Sequence, residues 1–130
     1  MTDLATFPDG FRALIVGASG GVGKALTTQL VDHPRCAQVY AASRSAKAVS
    51  GAQALSLDFD DPQAVEAAVE AAAAAGPLHL VIVASGVLVD SEGRGPEKSW
   101  RQIDAAYMTE VLKVNTIGPA LVARTALDKL

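Results

Sequence analysis

The stretch IVGASGGVGKAL, Ile15 to Leu26, places four glycines within the seven residues Gly17–Gly23, between an apolar run and a run with helical spacing. A turn of this kind sets the start of a helix beside the end of a strand, where free backbone N–H groups and the helix dipole favour an anion. Glycines let the backbone turn tightly and approach a phosphate with no Cβ in the way. Each charge-assisted N–H bond to that anion contributes roughly 1.5–3 kcal/mol. The phosphate-loop spacing G-x-x-x-x-G-K-[ST] is excluded: counted back from Gly23 and Lys24, its first glycine falls on Ala18, and Ala25 stands where Ser or Thr is needed. The spacing G-x-G-x-x-G is excluded by Ser19 and Leu26. Two spacings fit, G-x-x-x-G-x-G at Gly17, Gly21 and Gly23, and G-x-x-G-x-x-G at Gly17, Gly20 and Gly23.

Elsewhere, reactive side chains are few. Cys36 is the only cysteine, which rules out an intrachain disulfide and argues against a cysteine-based metal site; it reads as a small hydrophobe. His33 and His79 have no ligand or nucleophile partner at useful spacing and read as surface or packing residues, so no metal is expected. A net charge of -3 gives no basic footprint for nucleic acid or an anionic membrane. The opening MTDLATFPDG has neither a basic n-region nor an apolar h-region, and so is no signal peptide. The longest apolar stretch, Leu80 to Val89, is half the length of a membrane span. The expected setting is cytoplasmic, with neither nucleic acid nor membrane as partner.

The elements that must position the glycine turn are legible around it. Phe11–Val16 reads as a short strand ending at the turn, and Gly23–Val31 as a helix that Pro34 prevents from continuing. Ala37–Ser43 reads as a second strand, and Ala52–Asp58 alternates like a third. DDPQAVEAAVEAAAAAG then reads as a helix capped by Asp60 or Asp61, with Pro62 in its first turn and Gly76 at its end. Leu78–Ser85 is nearly all apolar, as in a parallel strand buried on both faces. A polar loop follows, and from about Asp104 to Leu130 the pattern is helical. Half of the residues are hydrophobic, enough for one domain spanning 1–130, and the strand–helix alternation is that of a doubly wound parallel α/β sheet.

These features together resemble the short-chain dehydrogenase/reductase family. Gly17, Gly21 and Gly23 match its glycine turn, and SLDF supplies Asp58 at the end of the third strand. VASG, Val83 to Gly86, stands where the family has N-N-A-G, keeping the glycine and losing both asparagines. VNTIGP supplies Asn115, Gly118 and Pro119 in the last helical stretch. The spacing Gly17, Gly20 and Gly23 is also that of the family's atypical, sometimes non-catalytic, members. The run GPEKSWRQID further resembles the small bacterial C-factor-like members.

The resemblance implies a Rossmann-type sheet with strand order 3-2-1-4 and a nicotinamide dinucleotide cofactor. Gly17, Ser19, Gly20, Gly21, Val22 and Gly23 would hold the pyrophosphate, and Asp58 with Phe59 the adenine. Ala84, Ser85 and Gly86 would line the ribose and nicotinamide side, with Asn115 the one catalytic-site residue present. At the end of the second strand, Ser43 takes the position where an acidic residue selects NAD, and Arg44 follows, so NADP(H) is expected over NAD(H). The implied reaction is hydride transfer to or from a small-molecule carbonyl or alcohol. The family's Tyr-x-x-x-Lys is missing, because Tyr40 is followed four residues on by Arg44, and Tyr107 by Val111.

The catalytic serine, tyrosine and lysine are therefore expected beyond Leu130, with strands five to seven of a longer domain. They could be carried by a separate chain, and the 130 residues alone are expected to be inactive. A homo-oligomer is also implied. A non-catalytic nucleotide sensor on the same fold, or an interaction fragment that holds no cofactor, are the rival readings.

Overall fold

The computed structural model describes residues 3–130. Its four parallel strands are β1 (Phe11–Val16), β2 (Cys36–Ser43), β3 (Gln53–Ser56) and β4 (Leu80–Val83), arranged β3-β2-β1-β4. Between them run α1 (Gly21–Val31) and α2 (Pro62–Ala73). After β4 come a polar loop and a 3-10 turn at Trp100–Gln102, and then one long helical path. That path is α3 (Ala105–Leu112), a π turn (Lys113–Ile117), α4 (Gly118–Ala126) and a closing 3-10 turn at Leu127–Lys129. No helix among the described residues is long and apolar enough to cross a membrane.

β1 is central because its side chains are apolar on both faces, and alternation sends them to two separate cores. Leu14 and Val16 join Tyr40 and Ala42 against Val65 and Val69 of α2 and Val122 of α4. Phe11, Ala13 and Ile15 join Val39 and Ala41 on the other face, under Leu30 of α1. Complete burial of a valine such as Val65 or Val69 contributes about 1.5–3 kcal/mol. Both cores thus pull the same strand taut and leave its C-terminal end, where the glycine turn starts, at a fixed point.

Several boundaries differ from those expected. α1 begins at Gly21, two residues early, with Gly20 as its N-cap. β3 is shorter than Ala52–Asp58: Leu57 still donates its N–H to the Ser43 carbonyl at 3.0 Å, and then Asp58 folds the chain by accepting the Asp60 N–H at 2.9 Å. β4 is shorter than Leu78–Ser85, because Leu78 donates to Lys129 of the closing turn at 2.9 Å rather than to a strand. It is half-buried rather than buried on both faces, since it forms an edge of the sheet among the described residues. The expected helix from Asp104 onwards is interrupted by the π turn, which sits where Pro119 has no N–H to return to the Asn115 carbonyl.

The two histidines are packing residues: His33 lies against the Phe11 ring, and Nδ1 of His79 accepts the Arg12 backbone N–H at 3.1 Å. At the start of α2, Asp61 is the cap, its Oδ1 accepting the N–H groups of Gln63 at 3.1 Å and Ala64 at 3.2 Å. Asp60 points elsewhere, pairing with Lys113. Asp61→Ala is therefore expected to cost about 1 kcal/mol and lower Tm by about 4 °C, while Asp60→Ala moves Tm much less; thermal unfolding of the two variants checks this.

Candidate functional site

The order in which strands are added reverses at β1: one crossover leads to β2, and a later one brings β4 to its other side. Outside the carboxyl ends of these strands lies an open cleft of about 560 Å³. The glycine turn forms its floor. Gly17 has φ +86, and a Cβ there would stand 2.6 Å from Oγ and 2.7 Å from N of Ser85. A Cβ on Gly23 would stand 2.1 Å from the Gly17 carbonyl oxygen, so α1 approaches the end of β1 more closely than any other residue would permit. N–H groups of Gly17 and Ala18 donate to the Ala42 carbonyl at 2.9 and 3.1 Å, which fastens the turn to β2.

No side chain caps α1 and no acidic residue lies in its first turn. The N–H groups of Gly21, Val22 and Gly23 precede the first possible intrahelical bond and so face the turn as free donors. Ser19 and Gly20 line the cleft directly. Gly21, Val22 and Gly23 do not; Val22 is exposed, and their contribution is through the backbone. Space without Cβ atoms, converging donors and the positive end of a helix together fit a phosphate group.

The β2–β3 side of the cleft carries Ser43, Arg44, Asp58 and Phe59. Ser43 is buried, and its Oγ accepts the Lys47 N–H at 3.0 Å, which shapes the loop that presents Arg44. Arg44 forms no ion pair among the described residues and is exposed at the cleft rim. Phe59 seats its ring on Gly118, where a Cβ would come within 2.5 Å of ring carbons. Thus Gly118, read in the sequence only as part of a helix interruption, gives the wall residue Phe59 its place. Asp60 and Lys113 also line the cleft and form an ion pair that bridges the β3–α2 turn to the π turn. That hydrogen bond from Lys113 to Asp60 raises the ammonium pKa. Sequence reasoning missed both members, and no local spacing signal links residues so far apart.

The β4 side carries Ala84, Ser85 and Gly86, followed by a loop that the last helical path holds in place. Asn115 accepts the Val87 N–H at Oδ1 and donates from Nδ2 to the Val87 carbonyl, both at 2.8 Å. Tyr107 donates its hydroxyl to the Leu88 carbonyl at 2.9 Å. Glu110 accepts the Ser91 N–H at 2.9 Å and the Ser91 hydroxyl at 3.0 Å. Beyond these, Arg94 joins Asp90 at 2.6 Å to Asp104 at 2.8 Å. Burial pushes the Asp90 carboxyl up, but the bonds from Arg94 outweigh it and the net shift is downward.

Asn115 does not line the cleft: its side-chain amide is engaged with Val87, so it positions the loop. Tyr107 is likewise committed, and burial raises its hydroxyl pKa. Tyr40 accepts a hydrogen bond from Arg12 and does not line the cleft. The arrangement can bind an anion with a flanking planar group; neither tyrosine stands where it could exchange a proton with a molecule held there.

The geometry agrees with comparisons to known proteins. The family model for short chain dehydrogenase matches residues 12–130. An NADPH-bound carbonyl reductase from chicken fatty liver superposes with a TM-score of 0.77 at 20% identity, over 95% of this chain and 49% of that one. A Serratia marcescens short-chain dehydrogenase/reductase variant gives 0.76 at 22%, over 94% and 52%. Thermoplasma acidophilum aldohexose dehydrogenase gives 0.75 at 18%, over 92% and 44%. The chain therefore spans about half the length of these solved structures. A sheet ordered β3-β2-β1-β4, a glycine turn closed on itself at the switch point, and a family match over nearly the whole sequence lead to one conclusion: the chain belongs to the short chain dehydrogenase family.

Proposed function

We propose that these residues are the cofactor-binding portion of an NADP(H)-dependent oxidoreductase acting on a small carbonyl or alcohol. The observation that carries the reading is the uncapped start of α1, drawn against the Gly17 carbonyl so tightly that Gly23 cannot carry a Cβ. A bound nicotinamide would supply or accept the hydride. The N–H groups of Gly21, Val22 and Gly23 hold the pyrophosphate, with Ser19 and Gly20 beside it. Arg44, held out by the Ser43–Lys47 loop, takes the adenosine 2′-phosphate, while Asp58 and Phe59 flank the adenine. Ala84, Ser85 and Gly86 lie on the nicotinamide side, and Asn115 acts by holding the loop that follows them.

The free Arg44 and the absence of a carboxylate at Ser43 support NADP(H) over NAD(H), as does the NADPH bound by the chicken reductase. With both tyrosines committed, proton transfer needs a Tyr-x-x-x-Lys segment outside the 130 residues, from the remainder of the same protein or a separate chain. Val83 and Ala84, in place of asparagines, favour the second reading, a nucleotide sensor on the same fold. That reading predicts dinucleotide binding with no carbonyl reduction even when such a segment is supplied.

NADPH titrations followed by nucleotide fluorescence are expected to show saturable binding, and an absence of binding overturns the proposal. Arg44→Ala is expected to weaken NADPH by roughly one to two powers of ten while leaving NADH unchanged. Gly23→Ala forces the turn apart, so both a lower Tm and the loss of NADPH-induced stabilisation are expected in thermal-shift measurements; at a hundredfold excess over Kd that stabilisation is about 2.7 kcal/mol.

A further inference from the structure

Two adjacent residues of the β3–α2 turn grip the last helical path at two points. Phe59 lays its ring on Gly118, and Asp60 pairs with Lys113 at the start of the π turn, so one anchor precedes Asn115 and the other follows it. A single attachment would leave the β3–α2 turn free to pivot; two fix its angle against the helix. That angle is passed on to the cleft by the backbone. The Asp60 N–H donates to Oδ1 of Asp58 at 2.9 Å, and the Asp61 N–H donates to the Asp58 carbonyl at 3.1 Å. Asp58 lines the cleft, and its Oδ2 carries no bond among the described residues. Its carboxylate is therefore held at one oxygen, with the other left open, by the residue whose own side chain Lys113 holds. The Lys113 ammonium draws chiefly on Asp60, with smaller attractions from Glu110 and Asp58. With side-chain exposures of 35% for Lys113 and 65% for Asp60, the pair adds little to global stability.

We propose that Lys113 is a positioning residue for the adenine end of the bound dinucleotide, acting through Asp60 to set the Asp58 carboxylate and not by touching the nucleotide. This rests on the dinucleotide reading above and adds to it the pair that fixes the angle of the wall beyond β3. Without the Lys113 ammonium, Asp60 loses its counter-charge, the turn pivots on Phe59 alone, and the Asp58 carboxylate loses its fixed direction. Apparent affinity then falls by the fraction of molecules in which the wall is still set. Adenine is common to both nicotinamide cofactors, so the loss falls on NADPH and NADH alike, unlike a loss at Arg44, which faces the 2′-phosphate. An arginine at position 113 can keep the pair.

The test is titration of the chain and its Lys113→Met, Asp60→Ala, double and Lys113→Arg variants with NADPH, NADH and adenosine 2′,5′-bisphosphate, alongside the nucleotide-free Tm of each. Lys113→Met and Asp60→Ala are each expected to weaken all three ligands by a common factor of about three to ten. The double variant is expected to lose no more than either single one, and Lys113→Arg to bind as the parent does. All four nucleotide-free Tm values stay within about 2 °C of the parent's. Unchanged affinity in Lys113→Met overturns the inference while leaving the dinucleotide reading standing. A loss that Asp60→Ala does not share, or one confined to NADPH and the bisphosphate, also overturns it, because Lys113 would then bind the nucleotide itself. A larger fall in Tm alongside the loss does the same, by showing that the pair supports the fold. A parent chain that binds none of the three overturns the inference together with the reading beneath it.

Discussion

The contact between the Gly17 carbonyl and the Cα of Gly23 governs the cleft. With no Cβ on Gly23, the first turn of α1 closes onto the end of β1, and the free N–H groups of the helix are brought to the mouth of the crevice. Any side chain at position 23 would have to displace backbone, not a flexible side chain, and backbone fixed at Ala42 by two hydrogen bonds cannot readily yield. The rigidity comes from the sheet: β1 is buried on both faces, so its carboxyl end cannot drift to relieve the crowding. The suitability of this place for an anion follows from packing as much as from the chemistry of glycine.

The other wall is built differently. After Val83 the chain leaves the sheet with one last bond, from the Ala84 N–H to the Val16 carbonyl at 2.7 Å, and no strand pairing holds residues 85–91. Tyr107, Glu110 and Asn115 substitute for a neighbouring strand by bonding backbone groups of Leu88, Ser91 and Val87 in turn. Asn115 imitates a residue of a β-ladder, accepting and donating to one partner. The π turn that contains it lets the helical path continue past Pro119. Chemistry-bearing residue types are thereby converted into architecture, which explains a cleft rich in named side chains yet without a free acid or base on this side.

Much of the fold is legible in local patterns. The glycine turn, the Asp61 cap with Pro62 behind it, the apolar runs of β1 and β4 and the strand–helix alternation all depend on neighbours within a few residues, and each of these elements is present. Boundaries shift where a competing short-range bond intervenes, as when the Asp58 side chain folds the chain after β3. The close approach at Gly17 and Gly23 and the exposed charge of Arg44 follow from residue type and spacing, because they are properties of the residues themselves.

Pairings across the fold were not legible. That Asp61 caps the helix while Asp60 reaches Lys113, that Gly118 exists to seat Phe59, and that the Asn115 amide is taken by Val87 are decided by which elements the two cores press together. A side chain's type sets what it can bond, so the sequence by itself determined a glycine turn at the end of the first strand of a parallel α/β sheet. Whether that capacity is already satisfied depends on what lies within about 3 Å, which only tertiary packing decides. The same rule separates Asn115, whose amide is engaged, from Arg44, which forms no ion pair among the described residues.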